Sequence, residues 1–184
     1  MACRQTGFAM LCEGNVQEVM DLSPVAHLAA LSGKVPFINF FDGFRTSHEI
    51  QKIAVWDYKD LADMCDMDAV KAFREHALNP EHPAMRGSHE NGDTFFQHRE
   101  ACNQYYDALP EVVEKYMGKI NEKLGTDYKL FNYYGAPDAD RVIIAMGSIC
   151  DVAEEVIDYL NAHGEKVGLI KVRLYRPFKA ERLI

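Results

Sequence analysis

Apolar runs and helix-like spacing alternate along this chain in the order expected of an α/β protein. Val16, Val19, Met20, Leu22, Leu28 and Leu31 fall near helical spacing, so residues 16–31 are expected to be a helix. Asn15 is placed to cap it, with Glu18 three residues on in a capping-box pattern. Pro24 is expected to kink this helix, or to restart it behind Ser23, and Gly33 to end it. Residues 35–41 (VPFINFF) are almost continuously apolar, as in a strand covered on both faces. Helix then strand is half of a βαβ unit. Its first strand is then residues 7–11, or lies before the chain begins.

Residues 54–128 are mostly helical and polar in pattern. The stretch 67–78 is amphipathic, with Val70, Phe73, Ala77 and Leu78 on one side. Residues 79–93 (NPEHPAMRGSHENGD) form a loop rich in Pro, Gly and Asn. Two helices, 95–109 and 111–124, are expected on either side of Pro110, and Gly125 closes the second. Residues 130–140 (LFNYYGAPDAD) read as a linker. After it, RVIIAMGS (141–148) is a buried strand and tight turn. Residues 151–163 follow as a helix with Val152, Val156, Ile157 and Leu160 inward and Gly164 at its end. KVGLIKV (166–172) is the next strand. These last elements complete a right-handed βαβ unit with parallel strands. Two strands and one helix cannot bury their own apolar faces, so this end of the chain reads as the opening of a larger domain.

Composition narrows the function classes. A hydrophobic content of 48% fills a core, and the net charge of −8 argues against a nucleic-acid backbone as partner. No apolar run approaches the roughly 20 residues that cross a bilayer, and the first residues are too short an apolar run for a secretory signal. Cysteines stand at 3, 12, 65, 102 and 150, with no CxxC pair. An odd count without an export signal favours reduced, inert thiols and a cytoplasmic setting. Cys3 and Cys12 are placed to face a core near Phe8 and Met10.

The densest chemistry follows the apolar run 35–41. Asp42, Gly43, Arg45, Thr46, Ser47, His48 and Glu49 crowd one strand end, where α/β proteins build sites. In a functional reading Arg45 holds a carboxylate or phosphate, and His48 relays protons with Glu49 orienting it. In the favoured structural reading Asp42 caps a turn with Gly43, Ser47 caps a helix from His48 onward, and Arg45 pairs with Glu49 across a contact. The Ala145-Met146-Gly147-Ser148 turn is better read as a tight strand–helix turn than as an anion site. His76, His82, His89 and His98 match no compact metal site. Phe95, Phe96, Tyr105 and Tyr106 read as helix packing.

Three long stretches together resemble one enzyme family. CRQTGFAMLCEGNVQEVMDL, VPFINFFDGFRTSHEIQKI and LFNYYGAPDADRVIIAMGSICDVAEEVIDYLNAHGEKVGLIKVRLYRPF are similar, in order, to pyruvate:ferredoxin (flavodoxin) oxidoreductases. The resemblance implies an incomplete thiamine-diphosphate-type pyrimidine-binding domain with parallel strands and a helical extension over residues 1–129. A linker at 130–140 follows, then the first βαβ of a transketolase C-terminal-like domain over 141–184. It implies thiamine diphosphate, Mg2+ and [4Fe–4S] clusters in the full-length family, in homodimers that oxidise pyruvate with coenzyme A and pass electrons to ferredoxin or flavodoxin. The family's cofactor-activating glutamate and pyruvate-binding residues lie upstream of Met1, and its cluster cysteines and magnesium motif lie downstream. The resemblance therefore assigns no catalytic, cofactor or metal residue here. The fragment is expected to bind no cofactor and to be inactive alone. Its partners are the rest of the same polypeptide or complementary subunits, with no nucleic acid or membrane. The alternative is a non-catalytic structural or interaction subunit of a split 2-oxoacid:ferredoxin oxidoreductase.

Overall fold

A computed structural model describes residues 2–85, 87 and 89–184; positions 86 and 88 of the predicted 79–93 loop, and Met1, lie outside the described residues. The opening unit is βαβ. Strand β1 (Ala9–Cys12) leads through a turn into helix α1 (Val16–Gly33), which returns the chain to strand β2 (Phe37–Phe40). β1 and β2 pair in parallel, with Ala9 opposite Phe37 and Cys12 opposite Phe40. The first strand sits two residues beyond the expected start, and β2 is shorter than the apolar run. All of β2 is half-buried, not covered on both faces, because it is the outer strand of its sheet.

Asn15 caps α1 as expected, its side chain accepting the Glu18 N–H at 2.9 Å. Pro24 neither breaks nor restarts the helix, which runs on for 18 residues. Proline lacks the N–H that would reach the Met20 carbonyl. That carbonyl instead accepts the indole N–H of Trp56 at 3.2 Å, a donor 36 positions away. Lys34, in the left-handed conformation at φ 56°, ends the helix.

Four helices follow the loop after β2: α2 (Arg45–His48), α3 (Tyr58–Met64), α4 (Met67–Glu75) and α5 (Phe95–Ala101), before the long α6 (Asn103–Leu124). The break between α5 and α6 falls at Cys102, and Pro110 lies inside α6. The apolar side expected for α4 is largely outside the core: Phe73 and Leu78 are each 70% exposed. The aromatic packing expected around 95–106 is only partial, since Phe95 and Phe96 are exposed while Tyr106 donates to the Gly7 carbonyl at 2.6 Å. α6 closes over α1. Leu109, Val113, Tyr116, Met117 and Ile120 join Leu22, Val25, Leu28 and Ala29 in one buried cluster. A side chain at Gly33 would collide with the fully buried Leu109, so glycine sets how closely the two helices approach.

Strand β3 (Phe131–Gly135) occupies the stretch that reads as a linker. Then come β4 (Arg141–Ala145), α7 (Ile149–Ala162), β5 (Val167–Val172) and β6 (Leu174–Arg176). β5 is the middle of a second sheet, parallel to β4 and antiparallel to β3. β4 is not buried: Val142, Ile143 and Ile144 are 45–59% exposed, because this strand forms the sheet's edge. Ile157 of α7 is fully buried, whereas Val152 and Val156, also expected inside, are exposed. β6 then leaves this sheet and pairs antiparallel with β1, giving the first sheet the order β2-β1-β6. No helix among the described residues is long and apolar enough to cross a membrane.

Trp56→Phe removes the donor to Met20, and we expect it to destabilise the chain by about 1 kcal/mol in urea denaturation. Adding Pro24→Ala restores a backbone N–H at that carbonyl, and the double variant is expected to recover most of the loss. A double variant no more stable than Trp56→Phe alone refutes this pairing.

Candidate functional site

Three turns meet at the carboxyl ends of parallel strands. Residues 13–15 join β1 to α1, residues 41–44 lead from β2 into α2, and residues 146–148 join β4 to α7. A Cβ on Gly14 would stand 3.2 Å from the Gly147 carbonyl oxygen, so the two strand–helix turns touch through backbone. Across the same seam the Asn15 side-chain amide reaches Asp151 at 3.4 Å. The 145–148 segment is thus a tight turn packed against its neighbour, with Gly147 at φ 82°.

The 42–49 loop folds on itself. Asp42 accepts the Thr46 N–H at 2.9 Å and the Thr46 hydroxyl at 2.7 Å. These two bonds, helped by the Ser148 hydroxyl and the Arg45 N–H, hold the Asp42 carboxyl far below the usual carboxylate range. Thr46 is buried, with its hydroxyl 3.4 Å from the Gly14 carbonyl. Ser47 donates to the Gly43 carbonyl at 2.6 Å and begins no new helix, since α2 ends at His48. The Nδ1 of His48 lies 2.8 Å from the Phe44 carbonyl. Arg45, Ser47, His48 and Glu49 are exposed, and among the described residues no ion pair joins Arg45 to Glu49. Of the seven residues, Asp42 and Thr46 therefore reach the seam.

Beneath the turns lies a buried polar network that sequence reading missed. Arg173, the single residue between β5 and β6, is 6% exposed. Its guanidinium donates to Glu18 at 2.8 Å and lies over the Tyr128 ring at 5.1 Å. Its Nε is buried with no hydrogen-bond partner. The other Glu18 oxygen accepts the Gly14 N–H at 2.8 Å. Tyr128 donates to the buried Asp21 at 2.9 Å. Burial first, then that bond, raises the Tyr128 phenol well above its ordinary range. The only signal in the sequence was the position of Glu13 and Arg173 within apolar runs, which says nothing of their partners.

Glu13 is 1% exposed, and burial, then the Glu18 carboxylate beside it, push its pKa up to about 9. Ser23 donates to the Val19 carbonyl at 2.6 Å, so its oxygen accepts from the Asn39 amide nitrogen at 2.6 Å. The Asn39 carbonyl then faces Glu13, a contact that needs a proton on the carboxyl. Turned over, the amide donates to Glu13 and its carbonyl accepts from Ser23, an arrangement that suits the carbonyl oxygen of a neutral carboxyl as well as an ionised one.

Cys12 and Cys150, both buried beside this network, are raised to about 12 and about 11, burial being the main cause for each. They stay thiols and are poor nucleophiles. Cys3 is exposed, so the expected shared core for Cys3 and Cys12 does not form. His98 pairs with Glu90 at 2.5 Å, and no group of three or more His, Cys, Asp or Glu among the described residues could hold a metal.

The fold is that of a 2-oxoacid:ferredoxin oxidoreductase segment. A 2-oxoglutarate:ferredoxin oxidoreductase from Magnetococcus marinus, solved with 2-oxoglutarate, coenzyme A and succinyl-CoA, superposes on 95% of this chain and 32% of its own, with TM-score 0.54 and 19% identity. The family model described as pyruvate flavodoxin/ferredoxin oxidoreductase, thiamine diphosphate-binding, matches residues 1–118, and that for pyruvate:ferredoxin oxidoreductase core domain II matches 139–184. The chain belongs to the pyruvate flavodoxin/ferredoxin oxidoreductase family. It is 64% identical over 96% of its length to a pyruvate-flavodoxin oxidoreductase of Enterobacter agglomerans, and 60% identical over its whole length to a pyruvate:ferredoxin oxidoreductase of Moorella thermoacetica. It spans 15% and 16% of those two proteins.

The residues at this seam do not fit thiamine diphosphate as ligands. Its aminopyrimidine calls for a carboxylate opening on a cavity, and its diphosphate for a metal held by accessible oxygens. Glu13 and Glu18 are sealed in the network, and the Asp42 oxygens are taken by Thr46.

An unfolded Glu13 releases its proton near 4.5, whereas the folded one keeps it to about 9. Its contribution to stability is therefore complete below that lower value and lost progressively up to about 9. Glu13→Gln is expected to flatten the decline in stability across this window, by about 1 kcal/mol per pH unit at most, in urea denaturation at a series of pH values. An unchanged profile refutes the neutral carboxyl. Arg173→Met leaves Glu18 buried and uncompensated, and is expected to destabilise by about 3–5 kcal/mol. Adding Glu18→Gln should return part of that loss, and a purely additive pair counts against the ion pair.

Proposed function

We propose that this chain is one segment of a pyruvate:ferredoxin (flavodoxin) oxidoreductase, and that it forms the joint between the thiamine-binding domain and core domain II. In the whole enzyme pyruvate and coenzyme A give acetyl-CoA, CO2 and a proton, with a pair of electrons passed to ferredoxin or flavodoxin. Thiamine diphosphate supplies the carbanion chemistry, and magnesium and [4Fe–4S] clusters are held by parts outside this chain. What supports the reading is the two consecutive family matches, together with the return of β6 from the second sheet to β1 of the first.

In this reading residues 1–129 belong to the pyrimidine-binding domain and 141–184 open the next. The 42–49 loop lines the contact beside the active site, with Arg45, His48 and Glu49 exposed toward parts of the enzyme outside this chain. The binding work of this segment is structural: the Arg173–Glu18 pair fixes the crossing strand, and the Asp42–Thr46 turn fixes the loop.

Given thiamine diphosphate, magnesium, pyruvate and coenzyme A, the 184-residue chain is expected to show no pyruvate-dependent dye reduction. Sequencing the flanking DNA is expected to reveal a thiamine-site glutamate upstream and cluster cysteines downstream in the same or an adjacent reading frame. Turnover by the chain alone, or flanks without those features, overturns the reading.

A further inference from the structure

On the far side of β1 from the seam, two arginines share a cleft of about 580 Å3. Arg99 comes from the last turn of α5, and Arg176 from the end of β6, where it stands opposite Met10. The Arg99 guanidinium nitrogens come within 3.8 and 3.9 Å of where a Gly7 Cβ would be, so it lies along that turn. Gly7, at φ 89°, is pinned by the Tyr106 hydroxyl at 2.6 Å. Among the described residues neither guanidinium has an ion pair, hydrogen bond or ring partner within the chain.

The exposed Arg45 and Arg74 likewise have no guanidinium partner among the described residues, so what distinguishes this pair is the shared cleft and the half-burial of Arg176. Net charge is −8, and Arg141, Arg173 and Arg182 each have a carboxylate partner. Arg176 is half-buried, where an unpaired guanidinium is costly. Pairs of arginines recognise oxyanions because each presents a planar fork of donors. Besides Gly7, Tyr106 and the polar Asn103, whose amide donates to Glu100, the rest of the wall is made by Tyr175, Pro177 and Phe178, which suit an organic remainder. The volume falls in the range of small-molecule sites.

We propose that this cleft binds a phosphate-bearing small molecule, with Arg99 and Arg176 as the ligands of its phosphate oxygens. The site involves no residue of the strand-end seam and holds or fails independently of the reaction proposed above.

Isothermal titration of the 184-residue chain with inorganic pyrophosphate at low salt tests it, with sodium chloride at matched ionic strength as control. Saturable binding is expected, weakened about tenfold or more by Arg99→Gln and by Arg176→Gln, since each removes charge-assisted hydrogen bonds. Arg74→Gln, an exposed arginine outside the cleft, should leave binding unchanged, and circular dichroism checks that each variant is folded. Chemical shifts of Tyr106 and Tyr175 ring protons moving with pyrophosphate support the location. Absence of saturable binding, or equal weakening by Arg74→Gln, overturns the proposal.

Discussion

The buried ion pair between Arg173 and Glu18 is the constraint on which the rest of this structure depends. Arg173 is the hinge residue between a strand of one sheet and a strand of the other. Its own backbone is tied on both sides: its N–H donates to the Leu130 carbonyl at 2.9 Å, and its carbonyl accepts the Cys12 N–H at 2.8 Å. The side chain then reaches into the first turn of α1. One residue thereby fixes the crossing strand, the helix start and the β1–α1 turn together. A charge pair taken out of water stabilises only when its remaining hydrogen-bonding capacity is met. Here the Gly14 N–H meets the second Glu18 oxygen and the Tyr128 ring covers the guanidinium, while the Arg173 Nε is left over.

Two more carboxyls share that interior, and they are handled differently. Asp21 is satisfied by hydrogen bonds from Tyr128 and Gln17. Glu13 has no ion-pair partner among the described residues and keeps its proton beside the Asn39 amide. The proton thus does for Glu13 what Arg173 does for Glu18. Both solutions support the same surface above them, where the three strand-end turns touch and where Asp42 locks the 42–49 loop through Thr46.

The two sheets carry their unfinished surfaces in different places. The first sheet is covered on its α1–α6 side and ends in a half-buried β2. The second presents Val142, Ile143 and Ile144 of β4 and the outer face of α7 to solvent. Exposed β-branched residues on an edge strand are the pattern of a sheet whose neighbours lie in another part of a larger assembly. This agrees with a chain that matches about 15% of the length of its relatives.

Periodicity and caps determined the local elements. The Asn15 cap, the course of α1, the β4–α7–β5 order and the Gly125 stop all follow from short-range rules that act within a few residues. So did the position of the 42–49 cluster at a strand end. Tertiary structure alone decided what long-range partners change. Pro24 passes through α1 because Trp56 serves the carbonyl it orphans, and Pro110 sits within α6 while the break falls at Cys102. Residues 131–135 form a strand because β5 is there to pair with them, and β4 is exposed because it lies at an edge. The polar core was hidden for the same reason. Nothing in the order of the chain groups Glu13, Glu18, Asp21, Tyr128 and Arg173 together. Only their meeting across some 160 positions of chain makes them the interior of one site, because burial and pairing are properties of distance in space and not of order along the sequence.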